Sequence, residues 1–202
     1  MRRLRLAMML SILVVAPASA QDSVSVPRAI PLPDTMGANF AVSDTLTGRS
    51  GPEDYDFLVG TWRFTFQARL RDGSFTPPFT GHWVFARKET GGQGVLLEDH
   101  WRPDDPASTW DAGTWTYRAY NPERRIWEMQ GINTNVGAWQ PGLMWTDGDD
   151  RLLTEWYGPM LVRFRYLAIQ PERFLWRADA TFDAGQTWLR DYWTMEVHRI
   201  SR

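Results

Sequence analysis

Short runs in which apolar and polar residues alternate fill the chain from about residue 53 onward. A period of two is typical of a β-strand with one buried face. In the first run Trp62, Phe64, Phe66, Ala68 and Leu70 share a face that we expect to point inward. The pattern predicts ten strands, at about 60–70, 80–88, 94–102, 113–121, 125–134, 136–145, 151–157, 160–170, 173–182 and 187–200.

In the other strands the alternation shows the inward face with varying clarity. In the eighth run we expect Val162, Phe164, Tyr166 and Ala168 to point inward. In the last run Trp193, Met195, Val197 and Arg199 share one face. The runs 80–88 and 94–102 do not show which of their faces is buried.

Turn-forming residues separate the runs, among them Asp72-Gly73, Asn121-Pro122 and Asp147-Gly148. No stretch has a helical period longer than one or two turns. Ten consecutive strands joined by hairpins favour a closed barrel, because closure removes the exposed edges of an open sheet. The sequence therefore predicts an all-β protein with a single antiparallel up-and-down β-barrel of about ten strands.

The first twenty residues have the order of a secretory signal peptide. A basic start with Arg2, Arg3 and Arg5 precedes an apolar run, and Ala18-Ser19-Ala20 ends the segment. The apolar run is too short to span a bilayer. We therefore expect a signal peptide at 1–20, cleavage after Ala20, a periplasmic or secreted location and no membrane anchor after cleavage.

Residues 21–52 are rich in proline, glycine and small polar residues, which predicts a flexible leader before a barrel domain at 53–202. The chain has no cysteine, which excludes disulfides, thiolate metal ligands and a cysteine nucleophile. Signal removal takes away three of the 22 basic residues, leaving 19 against 24 acidic residues and a net charge of −5. This balance disfavours a nucleic-acid partner.

The segment Asp56-Phe57-Leu58-Val59-Gly60-Thr61-Trp62 resembles the Gly-x-Trp entry of lipocalin-like, or calycin, barrels. The resemblance implies that Trp62 closes one end of the barrel and that an arginine of the last strand, here Arg199, packs across it. The chain is also similar to a bacterial family of unknown function with lipocalin-like barrels. It shares with that family the same opening, a late Gly-x-Thr-Trp hairpin and a final strand like Tyr192-Trp193-Thr194-Met195-Glu196. The resemblance covers about 53–200 and implies a fold without a settled activity.

A second motif, Thr181-x-Asp183-x-Gly185-x-Thr187-Trp188, resembles the Asp-box hairpin of sialidase-type propellers. A propeller needs several four-stranded blades, and the chain is too short for them. We therefore interpret the motif as a structural hairpin, in which the aspartate bonds to the turn backbone and the tryptophan packs underneath.

The 12 tryptophans and the aromatic inward faces support the main functional hypothesis. An exported barrel of this kind is expected to bind a small apolar or aromatic molecule in its interior. The expected contacts are Phe64, Phe66, Trp83, Phe85, Tyr117, Phe164 and Tyr166. The same side chains would also suit a completely filled interior, which would indicate a structural or protein-interaction domain.

A different hypothesis is a small barrel enzyme, an isomerase, lyase or hydrolase, that uses Glu98 and His100 as an interior acid and base. On a strand these two side chains share a face and Asp99 takes the other, so at most two of the three residues meet one ion. Even with His82 nearby, we predict no metal site and no other cofactor. Enzymatic activity and oligomeric state remain open.

Overall fold

The computed structural model describes residues 50–92, 94–105, 114–134, 137–157 and 159–202. The predicted signal peptide and most of the predicted leader lie outside these residues. The strands are β1 Gly60–Ala68, β2 Phe79–Lys88, β3 Leu96–Pro103, β4 Thr114–Asn121, β5 Ile126–Asn133, β6 Ala138–Asp147, β7 Asp150–Tyr157, β8 Met160–Gln170, β9 Arg173–Thr181 and β10 Leu189–Ser201. Each corresponds to one of the ten predicted strands.

The ten strands form one closed antiparallel barrel. Each strand pairs with its neighbours in the sequence, and β1 also pairs with β10, where Phe64 faces Val197 and Phe66 faces Met195. No sheet edge is left open, as the up-and-down prediction requires. Among the described residues no helix is long and apolar enough to cross a membrane.

The inner face of the barrel is largely aromatic, as the alternation predicted. Trp62, Phe64 and Phe66 of β1 are buried, and so are Phe164 and Tyr166 of β8. For the two strands whose pattern was ambiguous, the structure places Gly81, Trp83 and Phe85 of β2 and Leu97 and Asp99 of β3 inside.

Two inward assignments were wrong. Leu70 is exposed, because β1 already ends at Ala68. Ala168 is exposed as well, because its positive φ of 48° begins an irregularity that shifts the register between β8 and β9. An extra residue of this kind turns the following side chains to the opposite face. Ile169 packs against the core instead.

The segment from Ser50 to Val59 closes one end of the barrel. A short 3-10 helix, Asp56–Leu58, places Tyr55 and Leu58 in full burial. The Tyr55 hydroxyl donates to the carbonyls of Trp145 and Leu152, each at 2.9 Å, and so joins this segment to β6 and β7. Residues 50–52, assigned to the leader by sequence, also bond to the barrel. Ser50 N donates to Arg125 O at 3.0 Å, and Trp127 Nε1 donates to Gly51 O at 3.0 Å.

Trp62 and Arg199 meet at this closed end. The Arg199 guanidinium carbon lies 3.8 Å from the centroid of the Trp62 ring, and the two residues are register partners in β1 and β10. The guanidinium also donates to the carbonyls of Val59 at 2.7 Å and Phe57 at 2.8 Å. Gly60 has a φ of 128°, and a Cβ there would lie 2.6 Å from an Arg199 nitrogen, so only glycine fits beneath the arginine.

Candidate functional site

The interior of the barrel has one aromatic wall and one polar wall. Strands β1, β2 and β8 to β10 contribute mainly aromatic and apolar side chains to the interior. Strands β3 to β7 contribute most of the buried polar side chains, which are Asp99, Thr114, Thr116, Arg118, Gln140 and Glu155. A molecule inside this barrel would therefore meet aromatic rings on one side and hydrogen-bonding groups on the other.

Access to solvent falls from the open end of the lumen to the closed end. Trp101, Tyr157 and Trp193 face inward near the open end and are only partly buried. Deeper in the barrel Trp176 keeps 8% of its surface accessible, whereas Trp62 at the closed end is 0% exposed. Side-chain exposure therefore decreases along the interior from Trp101, Tyr157 and Trp193 to Trp62.

A buried ion pair lies in the interior of the barrel. The Arg118 guanidinium of β4 contacts the Asp99 carboxylate of β3, and both side chains are almost completely buried. Trp83 Nε1 donates to the other Asp99 oxygen at 2.6 Å. Burial lowers the pKa of Arg118, and the neighbouring Tyr166 and Glu155 oppose that change. The adjacent Asp99 carboxylate favours the charged form of the guanidinium.

Three further hydrogen-bonding groups lie close together beside this ion pair. They are Arg118 Nε, the Tyr166 hydroxyl and Trp176 Nε1. Burial raises the pKa of Tyr166, while the nearby Arg118 and Trp176 limit the rise. The Tyr166 oxygen can accept hydrogen bonds from both the Arg118 guanidinium and the Trp176 indole, so these two donors have an acceptor within the protein.

Glu155 completes the polar wall above the ion pair. It accepts a hydrogen bond from the Tyr157 hydroxyl at 2.5 Å. Its register partner in β6 is Gly142, and a Cβ at Gly142 would lie 3.0 Å from the Glu155 side chain and 2.8 Å from Met129. The glycine thus gives Glu155 room to lie against the barrel wall.

Six of the seven predicted ligand contacts lie inside the barrel. Phe64, Phe66, Trp83, Phe85, Phe164 and Tyr166 are all buried there. Tyr117 was wrongly placed: it lies on the outer face and is 38% exposed, because β4 turns Thr116 and Arg118 inward instead. Contact between the six interior residues and a ligand stays a prediction.

The interior acid and base pair was also wrongly placed. Glu98 forms an ion pair with Lys88 at 2.7 Å, and His100 stacks on Trp115 of β4 with ring centroids 4.4 Å apart. Both residues lie on the outer face, because β3 turns Leu97 and Asp99 inward. Partial burial, and then Arg102, lower the pKa of His100. The interior carboxylates are instead Asp99 and Glu155.

The other two histidines of the sequence, His82 and His198, lie outside the lumen. His82 pairs with Asp104 at 2.8 Å, and His198 is exposed. The described part of the chain holds no group of three metal-binding side chains. A depression of about 440 Å³ on the outer face is lined by Glu98, Trp115, Tyr117, Ile132 and Thr134.

Comparison with known proteins shows the fold and no more. No known family model and no curated protein sequence matches the chain. Among solved structures, the S-type phycobiliprotein lyase CPES from Guillardia theta is similar with a TM-score of 0.51 and 11% identity. The match covers 73% of this chain and 90% of that chain. Rv2717c from M. tuberculosis is similar with a TM-score of 0.41 and 12% identity over 74% of this chain and 98% of that one.

The likeness to the lyase supports a lipocalin-like barrel. At 11% identity it concerns the course of the backbone and not the chemistry of the interior. Membership of the bacterial family of unknown function stays a prediction.

Proposed function

We propose that this protein is a binding barrel that holds a small, mainly apolar or aromatic molecule in the open half of its lumen. The supporting observation is the graded burial of the inward aromatic side chains. Rings at the closed end are inaccessible, whereas Trp101, Tyr157 and Trp193 near the other end keep part of their surface accessible. Concave sites lined by aromatic residues with a few polar groups are typical of small-molecule binding.

The aromatic wall offers a planar molecule a continuous stacking surface. Phe164 stacks on Trp176 at 4.6 Å with 25° between the rings, and on Trp193 at 6.1 Å with 21°. The three rings therefore lead from the base of the lumen to the open end in one ladder. Stacked aromatic pairs contribute about 0.5–1.5 kcal/mol beyond the area they bury.

Titration with the neutral probe N-phenyl-1-naphthylamine tests this proposal. We expect saturable binding, detected as quenching of tryptophan fluorescence together with increased probe emission. Trp101→Leu should weaken the affinity about tenfold, equivalent to about 1.4 kcal/mol, since it removes an aromatic contact at the open end.

Trp115→Leu is the matched control, because Trp115 lies on the outer face and lines the external depression. It should leave the affinity unchanged. Loss of binding in Trp115→Leu with retention in Trp101→Leu would place the site outside the barrel. Absence of saturation in the parent protein would remove the proposal.

We also propose that the barrel acts after export, which the N-terminal signal pattern supports. Mass spectrometry of the protein secreted from a bacterial host should give a mature chain beginning at Gln21. Recovery of the uncleaved chain from the cytoplasm would contradict this expectation.

A further inference from the structure

A group of apolar side chains on the outer face of β5 to β7 is buried although it points away from the barrel interior. Trp127, Met144 and Leu153 belong to the core. Side chains alternate between the two faces of a strand, so the sequence neighbours of these residues face outward. The outward apolar residues, which we call the outer patch, are Ile126, Leu143, Trp145 and Leu152. Each keeps at most 9% of its surface accessible.

The members of the outer patch lie next to one another. Trp145 of β6 is the register partner of Leu152 in β7. The register of β5 and β6 places Ile126 on the other side of Trp145, and Leu143 lies two residues along β6 on the same face. One continuous apolar surface can therefore cover all four.

Burial of this kind is not general on the outer face of β6. Trp139 shares that face with Trp145 by the same alternation, yet it is 52% exposed, whereas Trp145 is 9% exposed. Extended apolar patches on the outside of a protein mark places where another surface binds. The cover therefore lies over the end of β6 that holds Trp145 and does not reach Trp139.

The charged side chains beside the outer patch are directed away from it. On β8, Arg165 is the register partner of a patch residue and donates to Asp179 of β9 at 3.2 Å. On β5, Glu128 accepts from Arg124 of the turn before that strand at 2.9 Å. Neither charged group is therefore directed over the patch.

The first described residue, Ser50, lies at the edge of the outer patch. Its backbone nitrogen donates to Arg125 O at 3.0 Å, and its hydroxyl accepts from Thr146 N at 3.1 Å. Arg125 directly precedes Ile126, and Thr146 directly follows Trp145. The chain before Ser50 therefore arrives beside the patch.

The sequence before Ser50 has apolar side chains within reach of the patch. Phe40, Val42 and Leu46 lie between four and ten residues before Ser50. Four extended residues span about 13 Å, at about 3.3 Å each. Three residues along a strand measure about 10 Å and one strand spacing about 5 Å, which are the dimensions of the patch. Leu46 can thus reach any part of it, and the two earlier side chains can as well.

We infer that the segment from Phe40 to Leu46 binds the outer patch, so that part of the predicted leader is attached to the wall of the barrel. The contact is apolar on both sides. A segment that is already fastened at Ser50 has a high effective concentration at the patch, which favours it over a second copy of the chain. The inference concerns the outside of the barrel and is independent of the proposed function.

Hydroxyl-radical footprinting of the chain from Gln21 onward, with oxidation located by peptide mass spectrometry, tests the inference. In the parent, Trp139 should be oxidised rapidly and Trp145 slowly. In the triple variant Phe40→Ser, Val42→Ser and Leu46→Ser, the rate at Trp145 should rise toward that of Trp139, whose exposed fraction is about six times larger, 52% against 9%.

The triple variant Val24→Ser, Val26→Ser and Ile30→Ser is the matched control. It also removes three apolar side chains, at the far end of the same predicted leader. It should leave Trp145 protected. Trp62, which is 0% exposed, reports the folding of the barrel and should stay protected in all three proteins.

Several outcomes would contradict the inference. Rapid oxidation of Trp145 in the parent would show a bare patch, and equal protection in the parent and the first triple variant would show a different cover. Protection that the parent loses on dilution would indicate a second copy instead. If Trp62 becomes accessible together with Trp145 in the first triple variant, the single substitution Leu46→Ser decides: selective oxidation of Trp145 supports the inference, and simultaneous oxidation of both overturns it.

Discussion

At the scale of single residues, the contact between Arg199 and Trp62 links the last strand, β10, to the first strand, β1. The guanidinium lies on the indole and donates to three carbonyls, those of Phe57, Val59 and Pro171. One side chain thus joins β10 to the segment before β1 and to the turn before β9. The Trp62 indole adds a hydrogen bond to Leu58 O at 2.6 Å.

A double-mutant cycle followed by urea unfolding measures this pairing. Trp62→Ala should lower the free energy of unfolding by about 3–5 kcal/mol, as truncation of a buried Phe or Trp does. Arg199→Ala should cost less, about 0.5–1.5 kcal/mol, because it removes hydrogen bonds to partly buried carbonyls. The two effects should couple by about 0.5–3 kcal/mol.

The exposed Arg202 offers a matched control for the arginine. Arg202→Ala should change the free energy of unfolding by less than about 0.5 kcal/mol. Strictly additive effects of Trp62→Ala and Arg199→Ala would show that the contact between the two side chains does not contribute to stability.

At the scale of elements, the late hairpin between β9 and β10 is held by its own side chains. Both Asp183 oxygens accept hydrogen bonds from Thr187, through its backbone nitrogen at 2.9 Å and its hydroxyl at 2.6 Å. Trp188 Nε1 donates to Gly185 O at 3.1 Å, and Arg163 lies 4.4 Å above the Trp188 ring. The motif is thus the structural hairpin that the sequence predicted.

These hydrogen bonds lower the pKa of Asp183 to about 2, with the Thr187 side chain as the largest cause. The unfolded value is about 3.9. Because the folded pKa is the lower one, the stabilisation is fully present above about pH 4 and is lost as the pH falls through 2. A carbon-13 NMR titration of the Asp183 carboxyl should give this low pKa, and Thr187→Val should move it back toward 3.9. A value near 3.9 in the parent would contradict the hairpin geometry.

The sequence predicted the strands well because alternation and turn residues determine where strands begin and end. It predicted faces poorly where both faces carry aromatic residues. In β4 the outer face holds Trp115 and Tyr117, and the inner face holds Thr116 and Arg118. Burial of apolar residues would suggest the opposite arrangement. The inner face is polar here because Arg118 finds Asp99 across the neighbouring strand.

The same limit applies to the candidate site. Arg118, Asp99 and Glu155 lie on three strands, and only closure of the barrel brings them near Tyr166 and Trp176 on β8 and β9. No local spacing in the sequence signals a partnership of this kind. The aromatic wall of the barrel interior could be predicted from the sequence, since a period-two pattern within one strand is enough to find it.

At the scale of the whole molecule, the proposed function assigns the closed half of the lumen to stability and the other half to binding. The closed half is filled by rings that touch one another, such as Trp62 and Phe174 at 4.9 Å, beneath the segment Ser50 to Val59. Toward the other end, Trp101, Tyr157 and Trp193 are only partly buried. Because all ten strands run through both halves, we expect the barrel to unfold in one cooperative transition.

This division predicts opposite effects of two core substitutions. Phe174→Leu in the closed half should lower the free energy of unfolding by about 1–3 kcal/mol and leave the affinity for N-phenyl-1-naphthylamine unchanged. Trp101→Leu in the open half should weaken the affinity with a smaller effect on unfolding, since its side chain is only partly buried.

Probe at one hundred times its dissociation constant should raise the parent's free energy of unfolding by about 2.7 kcal/mol, because the probe binds the folded state. The same increase should appear in Phe174→Leu, because its site is intact. If Phe174→Leu instead lost both stability and binding in proportion, the two halves of the lumen would form one inseparable core, and the binding site could not be assigned to the open half.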